Sequence, residues 1–385
     1  MKLFEVYPIY DLHIKKGQGA WVYDDRGRKY LDFYGGHAVI SIGHTHPHYV
    51  AAIKKQIDSL AFYSNSIKNQ LQIDLAEKLG QLSGYEDYSL FLVNSGAEAN
   101  ENALKLASFH NDRSQVISFR HGFHGRTSAA VNVTDNAKII APINRGFKNI
   151  ALDFGDKEGV SAALSGGNVS SIIVEGLQGI AGIYEPGADF LQFLQEQASL
   201  HGAVLILDEV QSGYGRTGNF FAHQIAKDLR PDLITVAKGM GNGFPIGGVL
   251  ISPNFEARYG LLGTTFGGNH LACAAGLAVL EVIEQENLLD HARTMGRKLS
   301  TALKQMKDVV EVRGSGLMLG LEMPYVVKDL RKELLFDHKL FVGSAANANT
   351  LRLLPPLNVT EDEVNTCLEI LQHALKKGKS KITAT

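Results

Sequence analysis

Short apolar runs alternate with longer amphipathic stretches through the middle of this chain. Leu90–Val93, Val116–Phe119, Ser171–Val174, Ala203–Leu207, Leu233–Val236 and Gly248–Ile251 contain no charge and end near glycines or polar turn residues. Such runs predict buried strands. Between them, Ala97–Phe109 and Phe190–His201 have helical spacing, the second with Phe190, Leu191, Phe193, Leu194 and Ala198 on one side. Strands separated by helices predict an α/β fold with a mostly parallel central sheet. Sheets of that kind bind ligands at the loops beyond the carboxyl ends of their strands.

The two ends of the chain follow other rules. Near the start, Ala20–Tyr23 and Lys29–Phe33 form a hairpin pattern turned by Asp25-Arg26-Gly27. From about residue 275 the spacing predicts a long helix through Glu286, and then a second over Arg297–Lys307. A closing helix, Glu361–Lys376, aligns Val364, Cys367, Leu368, Leu371, Ala374 and Leu375 on one side. We therefore expect a large domain over 44–274 and a small α+β domain assembled from 1–43 and 275–385, with a frayed tail from Lys376 to Thr385.

Composition narrows the function classes. The chain has 385 residues, 45% hydrophobic and 20% charged, enough for a large core. A net charge of −2 gives no electrostatic reason for nucleic acid or an anionic membrane as partner. No uncharged apolar stretch reaches the ~18 residues of a membrane span. Residues 1–16 lack the pattern of a signal peptide. Cys273 and Cys367, both in apolar helical patterns, read as core thiols in a reducing compartment. The expected location is cytoplasmic.

Four segments concentrate the chemistry. In Asn94-Ser95-Gly96-Ala97-Glu98-Ala99-Asn100, Ser95 and Glu98 spell a capping box. The open N–H groups of that helix start, with Gly96 allowing close approach, suit either an anion or merely a capped helix. Asp208 ends the apolar run Ala203–Leu207, where a carboxylate needs a cationic partner such as a protonated pyridine nitrogen. Alternatively it is a supporting or metal carboxylate. Lys238 follows Leu233–Val236 by two residues, and a lysine kept from water has a lowered pKa and acts as an amine nucleophile. Beyond Val116–Phe119, Phe123 offers a flat apolar face and Arg126 a bidentate carboxylate clamp, while His124 reads more readily as structural. A fifth segment, Gly263–Asn269, adds hydroxyls and glycine amides suited to phosphate.

Two other patterns lead elsewhere. Gly213–Gly218 spells GxGxxG, yet no helix pattern opens at its last glycine, so a nicotinamide oxidoreductase rests on little. His44-Thr45-His46-Pro47-His48 resembles a metal cluster, but Pro47 and the lack of a matching acid or cysteine set favour a loop entering a helix.

In order along the chain, NSGAEANE, FHGR, LDEVQ, GRTG, AKG, GFPIG and GTTFGGN make this sequence similar to the class III (ornithine-type) aminotransferases. WVYD, GH.HP and VRGSGLMLG extend the resemblance over nearly the whole chain, and within the class it is strongest to acetylornithine aminotransferases. The resemblance implies the pyridoxal-phosphate-dependent transferase fold type I and pyridoxal 5'-phosphate as cofactor. It also implies a homodimer with shared active sites and a role in arginine biosynthesis. By matching position it implies that Gly96 and Ala97 bind the phosphate, Phe123 stacks on the ring, Asp208 pairs with the ring nitrogen and Gln211 meets the phenolic oxygen. Lys238 would carry the cofactor as a Schiff base, and Thr265 would reach the phosphate bound by the partner subunit. Arg126, Thr264, Arg352 and Glu175 would face the amino donor and 2-oxoglutarate. The sequence departs from the family's EPxQGEGG at Glu175–Gly182, where Gly176 stands for the proline and Ile180 for the second acid. In relatives that acid can pair with the arginine matched by Arg352. The donors left open are N-acetylornithine, N-succinylornithine, ornithine and 4-aminobutyrate; the non-enzymatic alternative is a silent cofactor-binding regulator.

Overall fold

The computed structural model describes residues 1–382, and side chains through Lys376. Fourteen strands carry the architecture: β1 (Ile14–Gln18), β2 (Trp21–Asp24), β3 (Lys29–Phe33), β4 (Ser89–Val93), β5 (Gln115–Phe119), β6 (Asn149–Leu152), β7 (Val169–Glu175), β8 (Val204–Asp208), β9 (Leu233–Val236), β10 (Gly247–Ile251), β11 (Glu311–Ser315), β12 (Met318–Glu322), β13 (Leu340–Ser344) and β14 (Thr350–Leu353). They form two sheets of seven.

The central sheet runs β4-β10-β9-β8-β7-β5-β6. Only β10 is antiparallel to its neighbours, so the sheet is mostly parallel, as expected. Every residue of β7, β8 and β9 is buried, which is why these strands read as unbroken apolar runs. Helices cover both faces. On one, the helix Gly96–Asn111 presses Ala99, Ala103 and Ala107 against Val116, Ile173 and Ile206. Three alanines four apart let the helix axis come close to the sheet. On the other, Phe190, Leu191 and Leu194 of the helix Ala188–His201 meet Phe119 and Leu205.

The second sheet, β1-β2-β3-β13-β14-β12-β11, joins strands from both ends of the chain. The expected hairpin is β2–β3, extended by β1 and paired in parallel to β13. β6 and the strands between Glu311 and Leu353 lacked a clear periodic signal, being short and half-polar. Helix limits also moved. The helix expected from about 275 begins at His270, where Asn269 accepts from the Ala272 amide. The boundary drawn at 274/275 thus falls inside a helix, His270–Gln285. The next helix is Leu288–Lys304 rather than Arg297–Lys307. Where fraying was expected from Lys376, the backbone remains helical to Ile382; residues 383–385 lie outside the described residues.

The three histidines of residues 44–48 pair separately, His44 with Asp32, His46 with Glu286 and His48 with Glu281. Both cysteines are buried and free. Among the described residues, no helix is long and apolar enough to cross a membrane.

Candidate active site

Register across the central sheet places three polar residues in one row. Glu175 ends β7 opposite Asp208, which ends β8 opposite Thr235 of β9. All three lie at the carboxyl edge of parallel strands, where backbone carbonyls give way to loops. A cavity of about 400 Å³ opens there, lined by Gly96, Ala97, Phe123, Arg126, Glu175, Ile180, Asp208, Gln211 and Lys238 among others. A larger hollow of about 670 Å³ between the helices Leu288–Lys304 and Glu361–Ile382 contains none of the expected residues. Chemistry, not size, selects the site.

Ser95 caps the helix Gly96–Asn111, its hydroxyl accepting from the Glu98 amide at 3.2 Å. The capping box closes one residue early, because the Glu98 carboxylate accepts from Asn94 N at 2.6 Å instead of from Ser95 N. Gly96 and Ala97 are the first helical residues, so their N–H groups have no acceptor within the helix, and both residues line the cavity. A Cβ on Gly96 would meet Val210 Cγ1 at 2.6 Å.

Asp208 is 3% exposed and accepts three hydrogen bonds. His124 Nδ1 at 2.8 Å and Asn100 Nδ2 at 2.7 Å both reach Oδ2, and Val210 N reaches Oδ1 at 3.0 Å. Burial opposes a charged His124, but the hydrogen bond and charge of Asp208 outweigh it, and the pKa lies above its ordinary value. Lys238 is the reverse case. Burial pushes its pKa down, with Asp208 and Glu175 opposing. Lys238 also adopts φ +45°, a conformation that costs a non-glycine residue free energy and recurs at functional sites. Glu175 is raised by burial, and its carboxylate accepts from Phe123 N at 3.0 Å and Gly179 N at 3.0 Å.

Arg352, on β14, is 3% exposed and reaches the site from the other sheet. Its Nε donates to Ser344 O at 2.6 Å, and its NH1 approaches Gln211 Oε1 at 3.5 Å. Gln211 Nε2 donates in turn to the His37 carbonyl at 3.0 Å. Burial lowers Arg352 to about 10. Thr264 and Thr265 are the exceptions to this gathering. Thr264 lines a separate hollow with Asn65 and Gln72, and Thr265 is exposed beside Phe266.

The class-III aminotransferase family matches residues 5–375. This chain is a class-III aminotransferase. The acetylornithine aminotransferase of Bacillus subtilis (strain 168) is 40% identical over 97% of both chains. The ornithine aminotransferase of Toxoplasma gondii, whose structure reveals partial occupancy of PLP at its active site, superposes with a TM-score of 0.90 at 27% identity. That match covers 98% of this chain and 93% of that one. Acetylornithine aminotransferase from Elizabethkingia anophelis gives 0.83 at 28% identity, over 97% and 96%.

The enzyme depends on pyridoxal phosphate, as its family does. Its own residues fit that group. Open helix-start amides suit a phosphate, an aromatic face flanks the cavity, and a triply hydrogen-bonded carboxylate and a buried amine stand at its floor. Reasoning from sequence missed Asn100, Thr235 and the pairing of His124 with Asp208. A buried asparagine beside Ala99, Ala103 and Ala107 was a readable signal; Thr235 gave none, since threonine is ordinary in strands.

Proposed function

We propose that this aminotransferase transfers the terminal amino group of N-acetylornithine to 2-oxoglutarate, giving N-acetylglutamate semialdehyde and glutamate in arginine biosynthesis. One observation carries the substrate class. Arg352 is a buried guanidinium beside the cavity whose hydrogen-bond partners are a carbonyl and an amide oxygen, with no carboxylate paired to it among the described residues. A buried cation left in that state favours a ligand that brings a carboxylate. Both acetylornithine and 2-oxoglutarate do, and the Bacillus subtilis relative bears the name of the first reaction.

Bound in this cavity, pyridoxal phosphate supplies an electron sink for the pair released when a substrate C–H bond breaks. The amides of Gly96 and Ala97 would hold its phosphate, and the Phe123 ring one face of its pyridine. Asp208, accepting from three donors, would retain the proton on the ring nitrogen. Gln211 has a second Nε2 hydrogen beyond the one given to His37, free for the phenolic oxygen. Lys238 Nζ would attach the cofactor and, once released, would take the proton from the substrate carbon and deliver it to the cofactor carbon. Its lowered pKa supports this, because a neutral amine is needed for both tasks. Arg126 at the cavity mouth would hold the acylated ornithine, joined by Thr264 of a partner subunit, with Glu175 bracing the Phe123 segment.

Thr265, exposed and away from its own cavity, would complete a partner subunit's site in a homodimer. We assign the chain to the cytoplasm and divide it into a large domain, 44–274, and a small one from 1–43 and 275–385, joined within the helix His270–Gln285.

Ile180 lines the cavity where the family motif has an acid, so that position supplies no carboxylate to Arg352. That apolar wall also favours a second reading, N-succinylornithine, since an acid there would repel the added carboxylate. Steady-state rates with acetylornithine, succinylornithine, ornithine and 4-aminobutyrate, each with 2-oxoglutarate, test the proposal. An acylated donor should be turned over fastest. Faster turnover of ornithine or 4-aminobutyrate would overturn the assignment.

A further inference from the structure

One side-chain amide in this site is bonded at both ends. Asn100, 1% exposed on the helix Gly96–Asn111, donates from Nδ2 to Asp208 Oδ2 at 2.7 Å and to the His124 carbonyl at 2.7 Å. Its Oδ1 accepts from Thr235 Oγ1 at 2.7 Å. Both hydrogens of the amide are therefore used on acceptors, and its oxygen faces the one hydroxyl beside it. The three partners belong to three different elements. Asp208 ends β8, His124 follows Phe123 in the loop beyond β5, and Thr235 lies on β9 three residues before Lys238.

The amide also has a preferred orientation. Turned over, its oxygen would face the Asp208 carboxylate and the His124 carbonyl, putting three acceptors together in a buried space. The Thr235 hydroxyl keeps Oδ1 satisfied in the observed orientation. On Asp208 itself, Oδ2 is taken by Asn100 and His124, while among the described residues Oδ1 accepts only from Val210 N. A lone pair on Oδ1 is left for whatever the cavity holds.

We propose that Asn100, oriented by the Thr235 hydroxyl, is a positioning residue for transamination. It fixes the Asp208 carboxylate with Oδ1 available to the cofactor, and it ties the Phe123-bearing loop and the strand leading to Lys238 to the same point. The proposal rests on the role of Asp208 given above. A purely structural Asn100 would contribute packing and stability, and its loss would lower the melting temperature without touching the chemistry of Asp208.

The test compares Thr235→Val with Thr235→Ser, a near-isosteric pair that differs in whether the hydroxyl is kept, alongside Asn100→Ala and Asp208→Asn. Each is prepared as the pyridoxal-phosphate holoenzyme. Two readouts are taken: the pH titration of the bound chromophore's absorbance without substrate, and kcat and KM with acetylornithine. Thr235→Ser should match the wild type. Asn100→Ala should lower kcat roughly tenfold with little change in KM, as expected for a lost buried hydrogen bond that acts through the carboxylate, and Thr235→Val, which leaves both Asn100 donations in place, should lower kcat by a smaller factor. The bound chromophore's pH titration should shift in both variants, and more in Asn100→Ala, where the carboxylate facing the cofactor loses a donor. His124, Glu175 and Lys238 also face Asp208 and are unaltered in these variants, so the shift reads the Asn100 contact. If Thr235→Val and Asn100→Ala melt lower but keep wild-type kcat and titration while Asp208→Asn is inactive, the positioning role is overturned and the Asp208 reading stands. If Asp208→Asn itself turns over at the wild-type rate, both fall. Should Asn100→Ala fail to fold, the Thr235 pair decides alone.

Discussion

At the residue scale, the site is organised by where charge is buried. Lys238 and Asp208 were legible in the sequence because each breaks the pattern of an apolar strand at its end, and burying a charge there needs a chemical reason. Lys238→Ala should keep the fold and a weakened, noncovalent hold on the cofactor, yet lose transamination by at least a hundredfold, roughly the contribution of a positioned proton-transfer group. Borohydride reduction and peptide mapping of the wild type should place the cofactor adduct on Lys238; an adduct on another lysine would refute the assignment. His124 was less legible. Nothing around FHGR shows that its ring turns inward to Asp208, 84 positions later. Because its folded pKa stands above the ordinary 6.5, the stability it supplies is full below that value and lost as pH rises through the folded pKa. Melting temperatures of the apoenzyme and of His124→Gln should therefore differ most at mildly acidic pH and converge as the solution is made alkaline. A gap that widens with rising pH would show the opposite linkage.

At the element scale, the same segments do double duty as fold and site. The helix Gly96–Asn111 begins where β4 ends, so its capping by Ser95 also sets two residues with free amides in the cavity lining. Close packing leaves no room at that start, since an added Cβ on Gly96 would sit 2.6 Å from Val210 Cγ1, two residues past Asp208. Gly96→Ala should move either the helix start or the Val210 side chain and weaken cofactor affinity by roughly tenfold or more, with strain on the order of 1–3 kcal/mol. Equilibrium titration of the apoenzyme with pyridoxal phosphate measures this, and unchanged affinity would mean the helix start lies away from the phosphate. The capping pattern could be read from four residues, whereas the neighbour that forbids a side chain at Gly96 comes from more than a hundred positions away.

At the scale of the whole molecule, the cavity lies at the edge of the central sheet, with Arg352 of the other sheet against its lining residue Gln211, and it leaves Thr264 and Thr265 outside. If Thr265 serves a partner's site, inactive Lys238→Ala and Thr265→Asp chains should complement each other. In a mixed dimer one site receives both defects and the other neither, so random mixing of equal amounts should restore roughly a quarter of the wild-type sites. Refolding or exchanging the two variants together, then assaying activity, tests this; no recovery above the separate variants would confine Thr265 to its own chain. The sequence by itself determined the buried strands, the parallel α/β class, the paired termini and the placing of Lys238 and Asp208 at the ends of apolar strands, because burial period and charge at a strand end are local properties. Only the tertiary structure decided that Asn100 joins Asp208 to Thr235, that Arg352 reaches the site from the other sheet with no carboxylate paired to it among the described residues, and that the two threonines stand apart. Those facts depend on register between strands and on packing between distant segments, which no stretch of sequence specifies alone.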